Sequence, residues 1–102
     1  MGNGERIAVT IDADLKELIP GFLQARHDDV AVIGASLEKG DWNAMYIAGH
    51  SMKGSGGGYG FDEITAIGAA IETAAKAKDA AGVKHGVARL SDYLQRIDIT
   101  YA

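Results

Sequence analysis

The sequence predicts an all-α domain: an up-down antiparallel four-helix bundle with a short extra N-terminal helix. Three observations predict it. Apolar residues recur at spacings of three and four over four long stretches, which is the helical period. Proline occurs once in 102 residues and β-branched residues are scattered, so little opposes helix. Only a few residues separate the stretches, which makes consecutive helices antiparallel neighbours. At this length and 47% hydrophobic content the chain is expected to form one domain with a single core. That domain is assigned to residues 12–102. Residues 1–11 carry Gly2 and Gly4 but no helical stripe, and are read as a loose or extended lead-in.

Asp12 or Asp14 can cap the short helix, which runs through Leu15, Leu18 and Ile19. Pro20 suits a first helical turn and starts a longer helix with the stripe Leu23, Val30, Ile33 and Leu37, ended by Gly40. Asp41 caps the next helix. Its stripe of Trp42, Met45, Ala48 and Met52 runs into the glycine cluster of residues 54 to 60, where the helix must fray or stop. Phe61 and Asp62 read as a staple and cap for a third long helix with Ile64, Ile67, Gly68, Ile71 and Ala75 inward. Lys76 and Lys78 suit its C-terminal dipole. Asp79 caps the last helix, whose Val83, Val87, Leu90, Leu94 and Ile97 form the seam of a bundle helix packed about 20° from antiparallel.

Composition excludes several classes of function. A formal net charge of −4 repels polyanions, so neither nucleic acid nor an anionic membrane surface is an expected partner. Without cysteine there are no disulfides or thiolate metal sites, and the redox compartment cannot be read. The apolar run at residues 7 to 9 is far shorter than a signal-peptide core, and nothing approaches the ~18 apolar residues of a membrane span. A cytoplasmic protein is expected. Met1-Gly2 opens like a myristoylation signal, but Arg6 stands where that motif needs Ser or Thr.

His50 is the residue that carries chemistry. On a helical wheel it lies roughly 140° from the centre of the arc formed by Trp42, Met45, Ala48 and Met52, which places its imidazole toward solvent. Its helical neighbours are Asn43, Tyr46, Ile47, Lys53, Gly54 and Gly57. A mid-helix glycine costs up to ~1 kcal/mol relative to alanine, so two on the histidine's face need a reason. Close approach by another molecule is one. Gly49, on the buried side, is expected to let a neighbouring helix pack close. Ile47 is a candidate apolar docking contact, and Asn43, Tyr46 and Gly57 complete the candidate docking face.

The run His50-Ser51-Met52-Lys53-Gly54-Ser55-Gly56-Gly57-Gly58-Tyr59-Gly60-Phe61 resembles the signature of the histidine phosphotransfer family: a phosphorylated His, then x-[LM]-K-G-[ST], then Gly ten residues after the His. The resemblance extends through Leu18-Ile19-Pro20-x-Phe22-Leu23, Leu37-x-x-Gly40-Asp41-Trp42 and Ile71-Glu72-x-Ala74-Ala75, and covers roughly residues 11 to 97. The histidine-bearing domain of chemotaxis-type kinases is similar at the same motif, but 102 residues leave no room for a kinase's ATP-binding and dimerisation modules. A free-standing relay protein or an excised domain is expected, acting as a monomer. The resemblance implies that Nε2 of His50 attacks an aspartyl phosphate on a receiver domain of a response regulator or hybrid kinase, and that the phosphoryl group then passes to another receiver. Imidazole suits this role, since its ordinary pKa of about 6.5 leaves it a neutral nucleophile near pH 7. The resemblance also implies that Mg²⁺ belongs to the receiver, that this chain needs no cofactor of its own, and that it is a phosphoryl carrier and not a complete enzyme. Lys53 would bring its ammonium to the phosphate, and Gly54 would clear the approach.

Blander readings compete at each point. His27 and His85 are read as ordinary surface or boundary residues, and no two histidines stand at metal-ligand spacing, so no metal site is expected. The glycine run supplies neither G-x-G-x-x-G nor G-x-x-x-x-G-K. Ser51 lacks a G-x-S-x-G elbow. Glu72 is read as a solvated or capping charge. The alternative function is a helical interaction module that binds and inhibits a receiver or kinase without being phosphorylated.

Overall fold

A computed structural model describes residues 5–102. It is mostly helical, with four helices: α1 (Ile19–Lys39), α2 (Trp42–Ser55), α3 (Asp62–Lys76) and α4 (Ala80–Arg96). α1 packs on α2 and α4, α2 on α3, and α3 on α4, closing a ring around one core. The predicted stripes face that core. Ile33, Met45, Met52, Ile64, Ile67, Ile71, Val83 and Leu90 have no accessible surface, while Leu23, Val30, Leu37, Trp42 and Val87 pack half-buried around them.

The helix ends follow local chemistry. Pro20 sits in the first turn of α1, where its missing N–H costs nothing, and Gly40 closes that helix in the left-handed conformation (φ 68°). Asp41 and Asp79 cap α2 and α4 by accepting from the amides of Ala44 and Gly82. α2 stops at Ser55, and the glycine cluster continues as a 3-10 turn at Gly57–Tyr59. Gly60, at φ 93°, then reverses the chain against Ile11. The capping role expected of Asp62 is corrected: Phe61 holds the N-cap position of α3 without a side-chain cap, and Asp62 is the first helical residue, placed to favour the helix dipole.

Two further expectations need adjusting. The domain is mostly helical as expected, but β1 (Ile7–Ile11) and β2 (Ile97–Tyr101) add a small parallel pair in the register Ile7 to Ile97 through Ile11 to Tyr101. Ile97 therefore does not end the last helix; it is the first residue of β2. Both segments are dense in β-branched residues and alternate in burial, with Ile7, Val9 and Ile11 facing inward beside Ile97, Ile99 and Tyr101. The short helix expected through Leu15, Leu18 and Ile19 is instead a single 3-10 turn at Ala13–Leu15, capped by Asp12, while Leu18 is exposed and Ile19 opens α1. Of the lead-in, residues 7 to 11 are thus a strand. The Met1-Gly2 motif and the two early glycines lie outside the described residues. The strand pair is extended by Ala13 N–H to Ala102 O and Ala102 N–H to Ile11 O, both 3.0 Å.

Candidate functional site

The site is built where α2 crosses α3. A Cβ on Gly49 would stand 2.6 Å from the Glu72 amide nitrogen, and one on Gly68 would stand 2.5 Å from that of Lys53 and 2.7 Å from the Gly49 carbonyl oxygen. Only glycine at both positions lets the two backbones meet, which bears out the close-packing role expected of Gly49. The crossing sets Glu72, one turn beyond Gly68, directly against the histidine helix.

His50 projects from α2 with its side chain 62% exposed, clear of the core as its place on the wheel predicts. Its Nδ1 lies 2.6 Å from Oε2 of Glu72, and the other carboxylate oxygen accepts from Lys53 Nζ at 2.8 Å. One carboxylate therefore ties His50 and Lys53 together. The Tyr46 ring lies nearly parallel to the imidazole, 10° between planes and 5.9 Å between centroids. A carboxylate can only accept, so Nδ1 carries the proton and the lone pair of the neutral ring is on the outward Nε2.

The expectation that Glu72 is solvated or merely caps a helix is corrected: it is 9% exposed, and its carboxylate belongs to the histidine cluster. Hydrogen bonding from Lys53, and secondarily from His50, holds the Glu72 carboxyl below the ordinary carboxylate value. Reciprocally, the bond to Glu72 raises Lys53 above the usual lysine value. Both groups thus stay charged around neutrality.

The remaining predicted residues divide. Gly54 has nothing within 4 Å of where a side chain would begin, so the turn after His50 is bare. Ile47 is 56% exposed and Asn43 is exposed, both on α2. Gly57 leans toward α3: its amide donates to Thr65 Oγ1 at 2.8 Å, and that hydroxyl donates to the Lys53 carbonyl at 3.2 Å. Thr65 thereby fastens the end of α2 to α3, a role the sequence did not reveal. Arg26, buried on α1, pairs with Asp29 at 2.7 Å, lies over Phe22 and reaches Ser55 Oγ at 3.4 Å. His27 and His85 are exposed, as expected. Among the described residues no group of three or more His, Cys, Asp or Glu side chains could hold a metal ion. A groove of about 620 Å³ between β1 and the facing ends of α3 and α4 shares no residue with the histidine cluster. No helix among the described residues is long and apolar enough to cross a membrane.

The site is thus an exposed imidazole on a helical domain, bonded to a carboxylate and flanked by a lysine. The Hpt domain family model matches residues 17–99, and the chain belongs to that family. Domains of this family act as phosphocarriers in histidine phosphotransfer within phosphorelays. No match was found among curated proteins or among solved structures.

Proposed function

We propose that His50 accepts a phosphoryl group from a receiver-domain aspartate or a kinase and passes it to another receiver aspartate. The observation that carries this reading is an exposed imidazole whose Nδ1 is committed to Glu72, leaving Nε2 free. In the accepting step the Nε2 lone pair forms the N–P bond, the P–O bond to the aspartate breaks, and its electron pair leaves with that carboxylate. The proton on Nδ1 need not move. The ring becomes cationic, and Glu72 already faces the positive charge. The reverse sequence donates the group to the next aspartate.

Phosphoryl transfer depends mainly on alignment and on neutralising the equatorial oxygens. Lys53, one turn from His50 and half-exposed, can release Glu72 and turn its ammonium to the phosphate. Mg²⁺ is assigned to the partner receiver, and the bare turn at Gly54 to the path by which the partner's loop arrives. Asn43, Ile47 and Gly57 are assigned to docking. The ring of helix contacts and the short connections support reading the four helices as an up-down antiparallel bundle, and the domain as a monomer that holds its nucleophile on a rigid scaffold.

Incubation with a phosphorylated receiver domain and Mg²⁺ should label the protein with acid-labile phosphate, and His50→Gln should abolish the label. Label persisting in that variant rejects His50. Tight binding to receivers with no phosphate ever found would instead mark an inhibitory interaction module.

A further inference from the structure

The geometry points to Tyr46 as a positioning residue that fixes the plane of the His50 ring and favours its phosphorylated form. This rests on the phosphotransfer reading above. A side chain as exposed as His50 ordinarily exchanges rotamers in picoseconds to nanoseconds. Its bond to Glu72 restrains Nδ1, but a hydrogen bond tolerates tens of degrees of misalignment, so the ring can still rock about its Cβ–Cγ bond and carry Nε2 through an arc. Tyr46 closes that freedom. It lies one helical turn before His50, half-buried and packed against the core, so its own ring is held. Its face lies 10° from parallel to the imidazole, at a separation typical of an offset stack. Glu72 at the edge and Tyr46 at the face are different constraints, and together they leave Nε2 one direction.

The same stack acts on the product. Attack through Nε2 with the proton retained on Nδ1 makes the ring cationic, and a tyrosine face attracts a cation more than a neutral ring. Tyr46 therefore stabilises the phosphorylated state more than the free one. On this basis Tyr46 is distinguished from Asn43 and Ile47: it acts through His50, not through contact with the partner.

The test removes the partner. Potassium phosphoramidate, a small donor whose P–N bond is exchanged for the bond to imidazole, labels wild type, Tyr46→Phe and Tyr46→Leu, and ¹⁵N–¹H spectra follow the His50 ring. Tyr46→Leu should be labelled about two- to tenfold more slowly, the range that one aromatic stack supplies. Its ring spectra should keep the Nδ1–H tautomer that Glu72 sets but lose the shift that the Tyr46 ring current imposes on the imidazole protons. Tyr46→Phe, which keeps the face and lacks the hydroxyl, should match wild type. If Tyr46→Leu is labelled at the wild-type rate and slows only with a receiver as donor, Tyr46 is a docking residue and the proposal is overturned. Should Tyr46→Leu not fold, wild-type protein decides: His50 ring protons shifted by the Tyr46 ring current support the stack, and unshifted ones overturn it. Failure of wild type to accept phosphate from either donor would reject the phosphotransfer reading itself, while the ring spectra would still report on the stack.

Discussion

Gly54→Ala separates what the fold needs from what the partner needs. The position lies in the last turn of α2, has ordinary helical geometry, and would place its new methyl in open space. Nothing in the domain opposes alanine there, and helix propensity favours it by up to about 1 kcal/mol, with the lower half of that range expected near a helix end. For a domain of this size, 1 kcal/mol corresponds to roughly 4–8 °C in Tm, so a rise of about 2–4 °C is expected. The same methyl stands one turn beyond His50 on the face that a partner's loop would cross. Transfer from a phosphorylated receiver should therefore fall by about tenfold or more, the consequence of a small misplacement at a reacting centre. Labelling by phosphoramidate, too small to meet the methyl, should be nearly unchanged. Thermal unfolding followed by circular dichroism, set beside the two transfer assays, gives a more stable and less active protein. A variant that loses stability, or keeps its full rate with receivers, would refute the argument that this glycine is kept for access.

The two packing glycines should behave in the opposite way. Gly68→Ala drives a methyl to 2.5 Å from the Lys53 nitrogen and must push α2 off α3, so a loss of about 1–3 kcal/mol in denaturant unfolding is expected, together with slower phosphoramidate labelling as Glu72 leaves His50. Asp79→Ala removes the cap on α4 and should cost about 1 kcal/mol, leaving the labelling rate unchanged. Because the folded state holds the Glu72 carboxyl below its unfolded value of 4.5, its ion pairs stabilise the fold above that pH and are lost as pH falls through the lowered value. Wild type should accordingly be more stable than Glu72→Gln at neutral pH, and the difference should close between about pH 6 and pH 3. A difference constant across that range would show that the carboxylate contributes no charge pairing.

The four helices are legible in the sequence because their signals are local. The stripe on residues 42 to 52 and the caps at Asp41 and Asp79 report on the chain within one or two turns, and the exposure of His50 follows from the same wheel. The strand pair was hidden for the opposite reason. Ile97 continues the spacing of α4 and so reads as helix, while the alternation in residues 97 to 101 and in residues 7 to 11 acquires meaning only when two segments at opposite ends of the chain lie side by side. Glu72 was hidden likewise, since 22 residues separate it from His50.

A signal for Glu72 nevertheless exists in the glycines. Gly49 precedes the histidine by one residue, Gly68 lies inside a helix of strong apolar stripe, and a helix interior holds such costly residues where backbones touch. Supposing that the two glycines face each other brings whatever stands one turn from Gly68 beside the histidine helix, and that residue is a carboxylate. Packing and chemistry are then one device. The crossing that lets α2 sit on α3 also fixes the distance at which Glu72 meets Nδ1, so the tautomer of His50 depends on that backbone contact as well as on the Glu72 carboxylate. The ordering of consequences follows: loosening the crossing at Gly68 must disturb His50 and Lys53 together, whereas shortening either side chain alone leaves the crossing, and the other bond to Glu72, in place.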